Sequence, residues 1–271
     1  MIRGKWDARI RRAEDLASSY EFAAEGLRFY GHVAQLQQSI YSSVASALGV
    51  GKKHRAPGTL RQEFESFLML AQFAPFLSGM EKYAPPALSV AARELRAKEN
   101  GHWKQALAEF WQDGPSPPED SRRAEELILW MFLQPYAECL SDHTIRDSTG
   151  ATPSVCPLCQ QKPIVGALRP EGDGGKRFLI CSLCANEWEY RRIVCPACGE
   201  EDVHKLAVYT AEQFKHVRVE ACDTCHTYIK TVDLTKDGNA VPIVDELATI
   251  PLNLWATEHG YVKLQTNLLG I

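Results

Sequence analysis

Between Cys181 and Glu201 the chain reads CSLCANEWEYRRIVCPACGEE, two CxxC pairs with ten residues between Cys184 and Cys195. Whether these four thiols hold one metal or belong to two sites decides the architecture of the second half of the chain. The link, ANEWEYRRIV, has no Gly or Pro to reverse the chain, and Trp188, Tyr190 and Val194 fall among its alternate positions. As a strand, ten residues cover roughly 33 Å and carry the two turns apart. A shared central site would also leave the outer pairs, Cys156/Cys159 and Cys222/Cys225, to meet across 62 intervening residues. By contrast, 21 residues separate Cys159 from Cys181, and 23 separate Cys198 from Cys222. Both gaps sit just above the zinc-ribbon spacing of about 15 to 20, and GDGG at 172–175 offers a hairpin turn in the first. The expectation is two S4 sites, Cys156, Cys159, Cys181 and Cys184 around one metal and Cys195, Cys198, Cys222 and Cys225 around the other. A cross-braced pairing, in which alternate pairs share a metal, is the competing reading.

A CxxC turn presents two converging thiolates with backbone N–H groups turned toward the sulfurs, and two such turns complete a tetrahedral shell for zinc or iron. The two units repeat: KRFLI precedes CSLC and KHVRVEA precedes CDTC, with Trp188 or Tyr228 after each knuckle. Hairpin modules of this size bury too little apolar surface to fold unaided, so a metal would supply folding energy. Four thiolates leave no open coordination position, which argues against hydrolytic chemistry. A thioredoxin-like redox pair is the alternative for any single CxxC, but no βαβ pattern surrounds these. His143, His204, His216 and His226 lie in or beside the region and read as surface residues, because eight cysteines already complete two shells. The ninth, Cys139, falls in a strongly apolar helix and reads as a buried core thiol.

The 271 residues, 45% hydrophobic and 24% charged, suit a globular chain of two modest domains or one large one. A net charge of −4 gives no attraction to nucleic acid. Residues 151–232 hold ten Lys+Arg and ten Asp+Glu, so metal-bound thiolates would make that region negative, the wrong sign for binding phosphates. No apolar run reaches the roughly 18 residues of a membrane span, and MIRGKWDARIRRAEDL lacks the apolar core of a secretory signal. A cytoplasmic location without membrane insertion is expected, a setting in which paired thiols read as metal ligands or redox pairs.

Residues 1–150 contain no CxxC and read as a helical bundle. DARIRRAEDLASSY suggests a helix capped by Asp7, and Ser18 with Glu21 fits a capping box for a second helix carrying Phe22, Leu27, Val33, Ile40 and Val44. After the polar loop GKKHRAPG, Thr59 and Gln62 fit another box before LRQEFESFLMLAQFAPFL, which should kink or break before Pro75. PALSVAARELRAK, HWKQALAEFW and, after the breaker GPSPPED, AEELILWMFLQPYAECL complete the helical half. Beyond Ser141 strands are expected at PIVGAL, KRFLI, HVRVEA and YIKTVDL, and VPIVDELATIPLNLWATEHGYVKLQTNLLGI returns to a helical pattern.

The run from VCPLCQQKPIVGALRPEGDGGKRFLICSLC through CPACGEED, YTAEQFKHVRVEACDTCHTYIKTVDLTKDG and VPIVDELATIPLNLWA closely resembles the FdhE family of formate dehydrogenase accessory proteins. EGLRFYGHVAQLQ fits the family's helical half more loosely. The resemblance implies a multi-domain α and β protein: an α-helical domain (1–150), two rubredoxin-like modules of zinc-ribbon type (151–192 and 193–240) and a C-terminal helical segment (241–271) packing on the others. It implies a non-enzymatic cytoplasmic factor that binds the catalytic subunit of a formate dehydrogenase before export. It associates iron with the CxxC motifs, zinc being possible. One departure is CPLCQ at the first knuckle, where Gln160 replaces the Gly that eases a rubredoxin-type turn. A rubredoxin-like electron-transfer protein using FeS4 centres is the alternative function.

Overall fold

The computed structural model describes residues 2–49, 58–114, 123–145, 153–172 and 174–270. The loop GKKHRAPG before Gly58, the breaker GPSPPED beyond Gly114, and Asp173 of the GDGG turn lie outside them. The first half is helical: α1 (Ile2–Ser19), α2 (Ala24–Ala47), α3 (Ser66–Tyr83), α4 (Pro86–Arg96), α5 (Asn100–Asp113) and α6 (Arg123–His143). From Leu127 to Leu133 the α6 sequence is apolar without a break over nearly two turns, so this part of the helix must be surrounded. Every residue from Glu126 to Ser141 is buried, against α2, α4 and α5 among others.

Several expected helix boundaries move. Asp7 lies inside α1 and accepts a hydrogen bond from Gln38 Nε2 (2.9 Å) instead of capping. Ser18 also lies inside α1, and its hydroxyl donates to the Glu14 carbonyl (2.9 Å), so no capping box forms with Glu21. Phe22 sits in a 3-10 turn before α2 and is exposed. Thr59 precedes only a 3-10 turn, Leu60–Gln62, and makes no side-chain cap. Helix α3 runs on through Pro75 rather than breaking. Its buried face, Met69, Phe73, Phe76, Leu77 and Met80, lies on both sides of the proline, so packing holds the helix across the missing hydrogen bond.

The second half is built on one sheet from β1 (Pro163–Glu171), β2 (Gly174–Cys181), β3 (Glu187–Glu189), β4 (Leu206–Thr210), β5 (Val217–Cys222), β6 (Thr227–Asp233) and β7 (Val262–Lys263). The strand order is β3-β2-β1-β6-β5-β4, with β7 pairing β6. Strands β1–β2–β3 and β4–β5–β6 form two antiparallel meanders. Parallel pairing of β1 with β6, from Gly166↔Thr231 to Leu168↔Asp233, joins them. The stretches expected as two modules thus share one sheet. Strand β4, LAVYT, was not among the expected strands. The link ANEWEYRRIV is a strand only at Glu187–Glu189, where β2 offers a partner.

One sheet face carries Val165, Ala167, Val217, Val219 and Val232 into a core closed by Leu252 and Ala256 of α8 (Ile250–Glu258). Helix α7 (Pro242–Ala248) contacts α1 and α2 as well as β1 and β6, so it sits between the helical half and the sheet. Arg12 of α1 fixes it there through Asp245 (3.0 Å). Beyond Glu258 the chain leaves helical structure and adds β7. Among the described residues no helix is long and apolar enough to cross a membrane.

Candidate metal centres

Each meander opens with one CxxC turn and carries the second after its second strand. Cys156/Cys159 precedes β1 and Cys181/Cys184 follows β2; Cys195/Cys198 precedes β4 and Cys222/Cys225 links β5 to β6. The antiparallel register brings the two turns of a unit to the same end. Cys156, Cys159, Cys181 and Cys184 converge with their sulfurs all within 4.8 Å of one another, and so do Cys195, Cys198, Cys222 and Cys225. The structure therefore groups the cysteines in sequential order and divides the pairs of the central stretch between two clusters.

The local geometry is that of a thiolate knuckle. The backbone N–H of Leu158 donates to Cys156 Sγ, that of Leu183 to Cys181 Sγ and that of Ala197 to Cys195 Sγ, each at 3.4 Å. In the first turn Cys156 N donates to the Gln161 carbonyl (2.8 Å) and Gln160 N to the Cys156 carbonyl (2.9 Å); Cys195 with Glu200 and Gly199 repeats the pattern. The residue after each turn is left-handed: Gln160 (φ 63°), Ala185 (φ 48°), Gly199 (φ 79°) and His226 (φ 53°). Only one of these is glycine, so in three knuckles the surrounding bonds hold a conformation that L side chains avoid.

Distances between sulfurs test the fit to a metal. A tetrahedral shell with metal–sulfur bonds of about 2.3 Å has edges of about 3.8 Å, whereas a disulfide requires about 2.05 Å. The closest contacts between knuckles are Cys156–Cys184 at 3.6 Å, Cys159–Cys181 at 3.3 Å, Cys195–Cys225 at 3.8 Å and Cys198–Cys222 at 3.7 Å. Electrostatics agrees. Burial, then the neighbouring thiols, pushes Cys181 and Cys184 well above the usual thiol range. At Cys156, hydrogen bonds from those neighbours outweigh burial and bring the thiol well below it. Burial pushes Cys195 up to about 12. Four thiolates cannot share either site without a cation, and a bound metal removes that obstacle. The two clusters are compatible with two metal ions in S4 sites.

The clusters differ in setting. All four cysteines of the first are buried within the same core as the helices. Leu60 N donates to the Leu158 carbonyl (2.9 Å), while Trp130 Nε1 and Gln134 Nε2 of α6 donate to the Ser182 carbonyl (3.1 and 2.9 Å). Arg61 is buried beside this cluster, its Nε bonded to the Cys159 carbonyl (3.2 Å) and its Nη1 to those of Phe110 (3.4 Å) and Trp111. Burial lowers its proton affinity, and Cys159, Cys181 and Cys184 pull it back up. Asn186 Nδ2 approaches Cys156 Sγ at 3.6 Å. Nothing in the sequence pairs Arg61 with a cysteine 98 positions away; Asn186, two residues after a knuckle, stood where such a donor could have been sought. In the second cluster Cys198 is exposed and Cys225 half-buried.

The histidines stay outside both clusters: His143 Nδ1 contacts the Cys139 carbonyl (2.7 Å), His204 and His226 are exposed, and His216 bonds Asp245 (2.8 Å). The group His216, Asp237 and Asp245 is already bridged by the Arg12 guanidinium, so a cation occupies it. Cys139 is buried and its thiol is pushed up to about 12 by burial.

Comparison with known proteins follows the same division. Residues 155–192 match the family described as FdhE, central domain, and residues 193–269 match FdhE, C-terminal domain. An FdhE homolog of Aquifex aeolicus is 28% identical over 274 residues, covering 96% of this chain and 94% of that protein. One of Pseudomonas aeruginosa is 28% identical over 284 residues, covering 97% and 90%. The crystal structure of the FdhE protein from Pseudomonas aeruginosa superposes with a TM-score of 0.72 at 26% identity, over 98% of this chain and 96% of that one. The fold, both cysteine-bearing regions and relatives of matching length agree in making the chain similar to the FdhE proteins along nearly its whole length.

Proposed function

We propose that this chain is a cytoplasmic accessory protein in the maturation of a formate dehydrogenase, binding its catalytic subunit before export and oxidising no formate itself. Similarity to the FdhE proteins supports the role. The observation that carries the non-catalytic reading is the closed donor set: both clusters offer four thiols and no position for a substrate. Cys156, Cys159, Cys181 and Cys184 would hold one metal and Cys195, Cys198, Cys222 and Cys225 the second, with iron favoured and zinc the alternative. A bound metal supplies a cross-link that fixes two knuckles, and the chain's part is to hold the donors and shield the first site from water. The exposure of Cys198 favours a second reading for the outer site alone, electron exchange through an iron centre. Complementation tests the main reading: cells lacking this protein should lose formate dehydrogenase activity and regain it with the wild-type chain. Undiminished activity in its absence refutes the role. Metal analysis with a visible spectrum of anaerobically purified protein separates iron from zinc.

A further inference from the structure

The two knuckle-and-strand units are arranged head to tail, and the arrangement leaves one edge open. In the first unit β1 has β2 on one side and β6 on the other. Strand β4 holds the corresponding place in the second unit, with β5 on one side and, among the described residues, no strand on the other. Sheet edges that must stay unpaired are commonly blunted by charge, proline or a bulge. Here Leu206–Thr210 reads LAVYT, and its register with β5 is regular from Leu206↔Cys222 to Thr210↔Arg218.

A pocket of about 390 Å³ lies against this strand, between β4–β5–β6 and residues 192–197, the end of the link and the start of the knuckle after it. Its lining includes Ile193, Val203 and Val208, which are 52%, 58% and 53% exposed. Apolar side chains gathered at one mouth mark a contact surface. The lining also holds three guanidiniums, those of Arg177, Arg192 and Arg218, against the single carboxylate of Glu220. Glu220 already bonds both Arg177 Nη2 (2.6 Å) and Arg218 Nη2 (2.6 Å). Arg177 is fully buried and its Nε has no acceptor. Among the described residues, Arg192 bonds only the Gly175 carbonyl, at 3.4 Å. The guanidinium end of the pocket is cationic in a chain whose net charge is −4.

We infer that the outer edge of β4 accepts an extended segment of a partner polypeptide, added parallel to β4 as β6 is added to β1. Such a segment gains backbone hydrogen bonds from the edge, sets alternate apolar side chains over the pocket, and brings a carboxylate to the guanidinium end. Strand β6 itself, TYIKTVD, has this character and ends on Asp233. The inference rests on the accessory reading only in taking the partner to be the client; the edge is tested without it.

The probe is a fluorescein-labelled TYIKTVD peptide titrated with the full chain and followed by anisotropy. Saturable binding is expected, weakened at least tenfold by Val208→Lys, which places a charge on the edge. Arg192→Glu should weaken the same probe and improve binding of one ending in Lys. Metal content and circular dichroism of both variants should match wild type. Absence of saturable binding, or binding indifferent to both substitutions, overturns the inference. Concentration-dependent dimerisation abolished by Val208→Lys would give the edge to a second copy and overturn the partner assignment. In a parallel capture of purified formate dehydrogenase catalytic subunit, undiminished binding to Val208→Lys removes the client from this edge. Failure of the wild type to capture it refutes the accessory reading, while the peptide result still judges the edge.

Discussion

Replacing Arg61 by Met should loosen the first centre more than it loosens the fold. Arg61 donates to the carbonyls of Cys159, Phe110 and Trp111, and its guanidinium lies 5.7 Å from the Trp111 ring centroid. Hydrogen bonds from a charged donor contribute about 1.5–3 kcal/mol each, but a buried cation carries a desolvation penalty that Met removes. The balance depends on charge next door. With metal bound, the four thiolates give the centre a net charge of about −2 with zinc or −1 with ferric iron, and a buried guanidinium offsets it. With the metal removed the thiols take up protons and that benefit disappears. Arg61→Met should therefore cost the loaded protein about 3 kcal/mol and the stripped protein about 1 kcal/mol. The difference of about 2 kcal/mol corresponds to a roughly 30-fold loss of metal affinity at the first site.

The assay is chelator competition, followed by metal release from the first centre and by denaturant unfolding of loaded and stripped protein. Arg61→Lys should recover part of the affinity, since it keeps the charge without the fork that reaches several carbonyls. Equal metal affinity in wild type and Arg61→Met would refute the charge-compensation argument, whatever happens to stability.

Further outcomes follow from the same geometry. Cys195→Ser with Cys198→Ser should remove one metal equivalent and leave the far-ultraviolet helical signal intact, whereas Cys156→Ser with Cys159→Ser should lower the whole unfolding transition, because only the first cluster lies in the helical core; metal analysis and circular dichroism check both. Ala185→Gly should raise stability by about 0.5–1 kcal/mol by relieving a left-handed alanine, read as a rise of about 1–2 °C in melting temperature; no rise would show that the knuckle is not strained there. Lys230 is buried and its proton affinity is pushed down to about 7, mainly by burial, with Glu246 opposing. The unfolded chain then binds more protons than the folded one between about pH 7 and 10, so stability should increase as pH rises through that window, and Lys230→Met should abolish that increase in denaturation measurements.

What the sequence made legible was local. Each CxxC, the β run before each second knuckle and the gaps of similar length report on contacts within some thirty residues, and those contacts form. Gln160 looked like the exception among the turns, yet Ala185 and His226 adopt the same left-handed backbone, because the knuckle's own bonds set it and side-chain preference yields. Long-range assembly was not legible. Pairing of Gly166 with Thr231 depends on which sheet edges meet, and neither strand's alternation encodes its neighbour. The link between the central knuckles was expected to separate them by extension; only Glu187–Glu189 is strand, and thereafter Arg177 gathers the chain through the Arg191 and Val194 carbonyls (3.0 and 3.2 Å). Two sites result, for a different reason: antiparallel pairing within each unit satisfies each knuckle before the link is asked to do anything.

That distinction gives the two centres different work. The first cluster sits where α6, the Leu60–Gln62 turn and the sheet converge, so metal binding there would contribute free energy to the joint between the halves. The second belongs to neither apolar core, and its Cys198 faces solvent. Metal binding there would stabilise only the turns around it, which include the Cys195–Ala197 wall of the pocket beside β4. Loss of metal from a centre coupled so weakly to the fold would leave the rest of the chain's stability unchanged, while loss from one built into the core would lower the stability of the whole chain. The open strand edge lies at the weakly coupled end. A segment added along β4 would therefore meet the centre whose metal would contribute least to the stability of the chain as a whole.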